Sequence, residues 1–103
     1  MRHDALSEPV FLILTSLAEE PRHGYGLLKD IETLSEGRVR LSTGTLYGAL
    51  SRLLEARWIA QHDTGDTSRD KQSYRLTKLG RTTLAADLER LKTLTRVAGV
   101  RLS

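Results

Sequence analysis

Three stretches of helical periodicity, a pair of strand-like runs and a long final helix predict a mainly helical α+β fold: a winged helix-turn-helix with an added C-terminal helix. The chain has 103 residues and 39% hydrophobic content, enough for one domain with a modest core. The apolar spacing changes from helical to alternating after residue 57 and returns to helical after residue 77. No internal repeat or low-complexity segment interrupts this order.

The elements follow in turn. Ser7 is placed to cap a first helix, "EPVFLILTSLAEE", with Pro9 in its first turn and Pro21 ending it. Leu6, Val10, Leu14 and Leu17 keep helical spacing. "HGYGLLKDIETLSEG" predicts a second helix with Leu27, Leu28, Ile31 and Leu34 on one stripe and Gly37 as its stop. "RVRL" (38–41) reads as a short strand-like link. Ser42 then caps a third helix over 43–56. "WIAQHD" (58–63) and "QSYRLT" (72–77) predict a hairpin around the turn-rich "TGDTSRDK". Thr77 caps a last helix over 78–98.

The third helix, "TGTLYGALSRLLEARW", poses the sharpest question. Leu46, Leu50, Leu53 and Leu54 form one apolar face, while Gly44, Thr45, Gly48, Ser51 and Arg52 form the other, with Tyr47 on the flank. Glycine inside a helix costs roughly 1 kcal/mol relative to alanine. A face stripped of bulk permits close approach to another surface, and the DNA major groove admits a helix of limited bulk. Hydroxyls and backbone N–H groups at the helix start suit phosphate: Ser42, Thr43 and Thr45. Close packing against a neighbouring helix is the other use of such a face; the preceding helix and following hairpin favour DNA.

Charge agrees. Residues 1–37 carry three Lys/Arg and seven Asp/Glu, a balance of −4; residues 38–75 carry seven and four, +3; residues 76–103 carry six and two, +4. A polyanion is attracted to the second and third segments. With no cysteine, neither a disulfide framework nor a zinc–thiolate site is available, and a cytoplasmic location fits. The first residues read as neither signal peptide nor membrane span, since the apolar run Val10 to Leu14 is short and flanked by acids. His3, His23 and His62 come from three elements without ligand spacing, so no metal is expected. No nucleophile set or glycine-rich phosphate loop appears, so neither enzyme activity nor a cofactor is expected.

"HGYGLL" (23–28), "GTLYGALSRLLEARWI" (44–59) and "YRLTKLG" (74–80) together resemble the PadR family of bacterial transcriptional regulators, over nearly the whole chain. The resemblance implies residues 1–77 as a winged helix-turn-helix DNA-binding domain and residues 78–103 as a C-terminal dimerisation helix. It implies a homodimeric regulator, most members being repressors released by a small molecule or other signal. Where the family often has proline after the recognition-helix tyrosine, this chain has Gly48. Where it commonly has Gly-Leu-Ile, this chain has Arg57-Trp58-Ile59; and Ser73 replaces one of two aromatics. Some short members stack planar drugs on an aromatic of the last helix, but residues 78–103 contain none. A leucine-lined pocket is the alternative, with Trp58 placed for core or interface packing.

The candidate DNA contacts are therefore Tyr25, Lys29, Ser42, Thr43, Gly44, Thr45, Tyr47, Gly48, Ser51, Arg52, Arg69 and Lys71. Tyr47 is placed to donate its hydroxyl to a phosphate, and Arg52 to reach a base edge or phosphate. Tyr25 suits phosphate contact and packing equally, and Lys29 ranks below it. Arg69 and Lys71 supply the wing, diluted by Asp66 and Asp70. Tyr74 and Leu76 alternate inward with Ile59 as core. For the dimer, the stripe Leu84, Leu88 and Leu91 and the apolar excess of the first helix, Val10, Phe11 and Leu14, are the expected interface. The expected partner is pseudo-palindromic double-stranded DNA. The rival reading is a winged-helix module that binds protein rather than DNA.

Overall fold

The computed structural model describes residues 4–62 and 72–103. Its elements run α1 (Glu8–Glu19), β1 (Arg22–His23), α2 (Gly24–Leu34), α3 (Thr43–Glu55), β2 (Ile59–His62), β3 (Ser73–Leu76) and α4 (Lys78–Leu102). The three expected caps are made. The side chains of Ser7, Ser42 and Thr77 accept the backbone N–H groups of Val10, Thr45 and Gly80 respectively. The strands form one antiparallel sheet in the order β1-β3-β2, with Ile59 opposite Leu76 and Arg22 opposite Tyr74.

Two expectations about strands need correction. "RVRL" forms no strand; Ser35 instead folds this link back, its hydroxyl accepting the Val39 N–H at 2.9 Å. The third strand comes earlier, from Arg22 and His23, where Pro21 has broken the first helix and left backbone groups to be paired. Arg22 also ties this junction together. Its guanidinium reaches the Ser16 carbonyl at 3.2 Å, Glu19 at 2.6 Å and Asp30 at 3.5 Å, while buried Ser16 donates to Asp30 at 2.5 Å. α1, β1 and α2 are thereby held as one unit.

The core lies where α1, α2, α3 and the sheet meet. Ile13, Leu14, Leu17, Leu27, Ile31, Leu46, Leu50, Leu53, Ile59 and Tyr74 are its buried centre, with Trp58, Leu76 and Leu84 packed on it. Tyr74 and Leu76 are thus core, as their alternation with Ile59 implied, and Trp58 packs against the same core. Burying each large aliphatic contributes roughly 1.5–3 kcal/mol.

Both inner helices end through left-handed residues that are not glycine. At the end of α2, Glu36 has φ 54° ahead of Gly37 at φ 80°, and the Gly37 N–H reaches back to the Glu32 carbonyl at 2.8 Å. The stop therefore begins one residue before Gly37. At the end of α3, Arg57 has φ 65°, and the Trp58 N–H closes on the Leu53 carbonyl at 3.1 Å.

This second turn sets the base of α4. The Trp58 carbonyl accepts the Thr77 N–H at 3.1 Å, and the Arg57 carbonyl accepts the Thr77 hydroxyl at 2.7 Å. Gly80 lies so close that a methyl group there would overlap the Trp58 carbonyl. From Gly80 the inward face of α4 continues through Leu84 and Asp87 to Leu91, at spacings of four, three and four. Beyond Leu91 every residue from 92 to 103 is exposed. α4 has 25 residues, so it runs on past the predicted end and makes a rod about 37 Å long. It accounts for the 53 × 32 × 21 Å extents of the molecule.

A left-handed conformation costs a residue with a Cβ roughly 1–2 kcal/mol, and glycine gives back part of this in backbone entropy. Arg57→Gly is expected to raise stability by about 0.5–1 kcal/mol. Thermal unfolding checks it; an unchanged or lower melting temperature contradicts the strain assigned to Arg57.

Candidate nucleic-acid interface

The buried leucines of α3 fix its rotation. Leu46, Leu50 and Leu53 are at most 3% exposed, so Gly44, Thr45, Ser51 and Arg52 must face solvent. A Cβ added at Gly44 would meet nothing within 4 Å, and one at Gly48 only the tip of Arg52 at 3.8 Å. Among the described residues, no neighbouring helix occupies this face. The close-packing explanation for its small residues thus finds no partner among the described residues.

Tyr47 is 40% exposed, and its hydroxyl end lies across Gly24 at the start of α2. A methyl at Gly24 would come within 2.5 Å of the Tyr47 hydroxyl oxygen, so the two helices meet where only hydrogen fits. The ring is packed on a helix flank, and among the described residues that packing leaves the hydroxyl without a hydrogen-bond partner.

Thr43, Gly44, Tyr47 and Ser51 line a cleft of about 470 Å³ between α3 and the hairpin, closed on the far side by Gln61, Gln72 and Tyr74. The two glutamines were not among the sequence candidates. Gln61 falls two residues after buried Ile59, and a period of two puts both on the side facing α3. That alternation was the available signal. The carbonyl of Gln72 lies 3.3 Å from His23 Nδ1, which can address it only as a donor.

Other candidates are less well placed. Ser42 spends its hydroxyl on the cap, accepting the Thr45 N–H at 3.1 Å and donating to the Thr45 hydroxyl at 2.9 Å. Tyr25 is 71% exposed, and its ring holds the Lys29 ammonium 5.4 Å from its centre. Lys29 also borders a hollow of about 430 Å³ with Glu32, Thr33, Glu36 and Gly37, whose acids oppose a phosphate. Arg52 is exposed and makes no ion pair among the described residues. Arg69 and Lys71 lie outside the described residues.

The expected dimer residues divide. Leu14 is corrected: it is fully buried in the chain's own core, because α1 turns it toward α2, and it has no surface for a partner. Val10 and Leu84 are half-buried against the same core. Phe11 and Leu91 line a groove of about 360 Å³ between α1 and α4, together with Leu6, Glu8, Leu12, Asp87 and Arg90. Leu88 is open to solvent, and so are Leu94, Val97, Val100 and Leu102, the last two beyond residue 98, where the sequence reading ended the helix.

Among the described residues no helix is long and apolar enough to cross a membrane, and no group of three metal-ligating side chains comes together.

A helix-turn-helix, α2–α3, followed by a hairpin and carrying a bulk-free outer face, defines the class of winged DNA-binding regulators. The chain belongs to the transcriptional regulator PadR-like family, whose model matches residues 13–86. A search of curated proteins gives no match. Solved structures give the same fold. A transcriptional regulator from Clostridium thermocellum superposes with TM-score 0.75 at 23% identity, over 91% of this chain and 92% of that one. A PadR family regulator from Clostridium difficile superposes with TM-score 0.76 at 22% identity, over 94% and 100%. RosR of H. salinarum superposes with TM-score 0.71 at 23% identity, over 98% of each.

Gly48→Ala separates a DNA-facing helix from an idle one. Nothing in the chain blocks the methyl, so the free protein should gain about 1 kcal/mol of stability. Binding to the operator should weaken, because the added carbon stands on the face of closest approach. A variant that is stabilised and binds DNA as tightly as wild type would remove α3 from the groove.

Proposed function

We propose that the protein is a homodimeric, sequence-specific repressor that reads a pseudo-palindromic operator with α3 and is released by a small molecule or another signal. The observation that carries the reading is the outer face of α3: small, polar, and, among the described residues, approached at Gly44 and Gly48 by no side chain except the tip of Arg52. In this reading α3 enters the major groove. Thr43, Thr45 and the Tyr47 hydroxyl meet backbone phosphates near its N-terminus, where the helix dipole favours anions. Ser51 and Arg52 face base edges one turn further in, and Gln61 and Gln72 approach the same strand from the hairpin side. Arg69 and Lys71 extend the contact along the backbone. No cofactor takes part, and the site of action is the cytoplasm.

The distal half of α4 supports the dimer. Leu94, Val97, Val100 and Leu102 are exposed on the part of the rod that the winged domain does not reach, and Leu88 is exposed just before it. Each leucine buried against a second copy contributes roughly 1.5–3 kcal/mol, so a few of these side chains from each copy suffice for association. Phe11 and Leu91, at the edge of the groove between α1 and α4, continue the same surface. That groove falls in the size range of small-molecule sites and supports the effector part of the reading.

Site selection from random DNA is expected to recover a two-fold motif with half-sites about 10 bp apart, centre to centre. Binding should fall steeply with salt as counterions are released. Salt-insensitive binding with no symmetric motif would instead favour a module that binds protein. Arg52→Ala should cost about 1–3 kcal/mol at one operator position and relax specificity there; an equal loss on all sequences would make Arg52 a phosphate contact.

Leu88→Asp combined with Leu94→Asp should convert the dimer to a folded monomer at micromolar concentration. Sedimentation decides this: a double variant that stays a tight dimer excludes α4 as the interface.

A further inference from the structure

We infer that Asp87 is a positioning residue that sets the angle at which the projecting half of α4 leaves the winged domain, and through it the operator half-site spacing the protein accepts. The inference rests on the α4-mediated dimer proposed above.

Asp87 is fully buried, though it stands in the middle of a helix whose distal half is entirely exposed. It occupies the inward face between Leu84 and Leu91, where the spacing calls for an apolar side chain. Its carboxylate reaches off the helix to accept the Leu6 backbone N–H at 3.4 Å. One turn on, Arg90 grips the same carboxylate, with Nε at 2.8 Å and a second nitrogen at 3.4 Å. Asp87 thus joins α4 to the segment that leads into α1.

Its place along α4 matters. Gly80 pins the start of the helix to the Trp58 carbonyl, and Leu84 seats the next turn in the core. Two close anchors leave the rod free to pivot. A third anchor, two turns from Gly80, fixes its direction. In a two-fold dimer joined through the distal rods, the separation and tilt of the paired α3 helices follow from that direction, so a small pivot at Asp87 shifts each reading face along the DNA. Apolar contact alone would hold the rod in place with less angular definition than bonds to a charged group, which are directional.

The test uses the full-length dimer and a set of operators whose half-site spacing changes by single base pairs. Wild type should prefer one spacing. Asp87→Asn keeps the shape but weakens the grip on Arg90. Arg90→Gln keeps one N–H donor on a side chain only partly buried (33% exposed), so it decides the matter if Asp87→Asn does not fold. Both should remain dimeric and retain wild-type affinity for an isolated half-site. Their preference for the best spacing over its neighbours should fall by about tenfold, in keeping with the loss of one charge-assisted hydrogen bond. Folded variants that keep the wild-type spacing profile, or that lose affinity equally at every spacing, overturn the inference. A wild type with no spacing preference refutes the dimeric reading itself, before any variant is compared.

Discussion

The burial of Leu46, Leu50 and Leu53 is the constraint on which the rest depends. These three side chains lock α3 against α1, α2 and the sheet, and a helix locked on one face has no choice about the other. Everything that makes the outer face useful follows from this rotation. The glycines lie open, the threonines reach solvent at the helix start, and Tyr47 falls where it crosses Gly24. A helix free to roll would present its leucines to water and its small residues to the core, and neither surface would work.

A second dependence runs through the turn at Arg57 and Trp58. The same carbonyl of Trp58 receives Thr77 and abuts Gly80, so the end of α3, the close of the sheet and the start of α4 are one joint. α3 and α4 are therefore coupled mechanically through a few atoms. Asp87 extends the coupling to the first residues of the chain. The Asp87 carboxylate holds the Arg90 guanidinium above its ordinary pKa, chiefly through their hydrogen bond. In the proposed dimer, where two reading faces would stand at a fixed separation, stiffness of this kind matters more than its modest contribution to stability.

Most of the local architecture was legible from side-chain chemistry. Ser7, Ser42 and Thr77 stand before apolar periodic runs and cap them as helix chemistry requires. The leucine stripes gave the inner faces, and alternation assigned Ile59, Tyr74 and Leu76 to the core. The two strand failures have different causes, one a pairing between distant residues and the other a side-chain bond that closes a loop. Arg22 and His23 have no strand signature; they pair because Pro21 ends a helix beside an open edge of β3. "RVRL" looks like a strand, but Ser35 closes it into a loop.

The sequence by itself determined the helices, their caps, the bulk-free face of one of them and the basic bias of the later segments, because these depend on neighbours within a turn or two. Tertiary structure alone decided that Leu14 has no surface to share, that Gln61 and Gln72 close the cleft beside α3, and that Asp87 is buried rather than solvated. The physical reason is the same in each case. A residue's exposure is set by what arrives from elsewhere in the chain, and an aspartate on an inward helix face reads as a solvated charge until Leu6 and Arg90 are seen to enclose it.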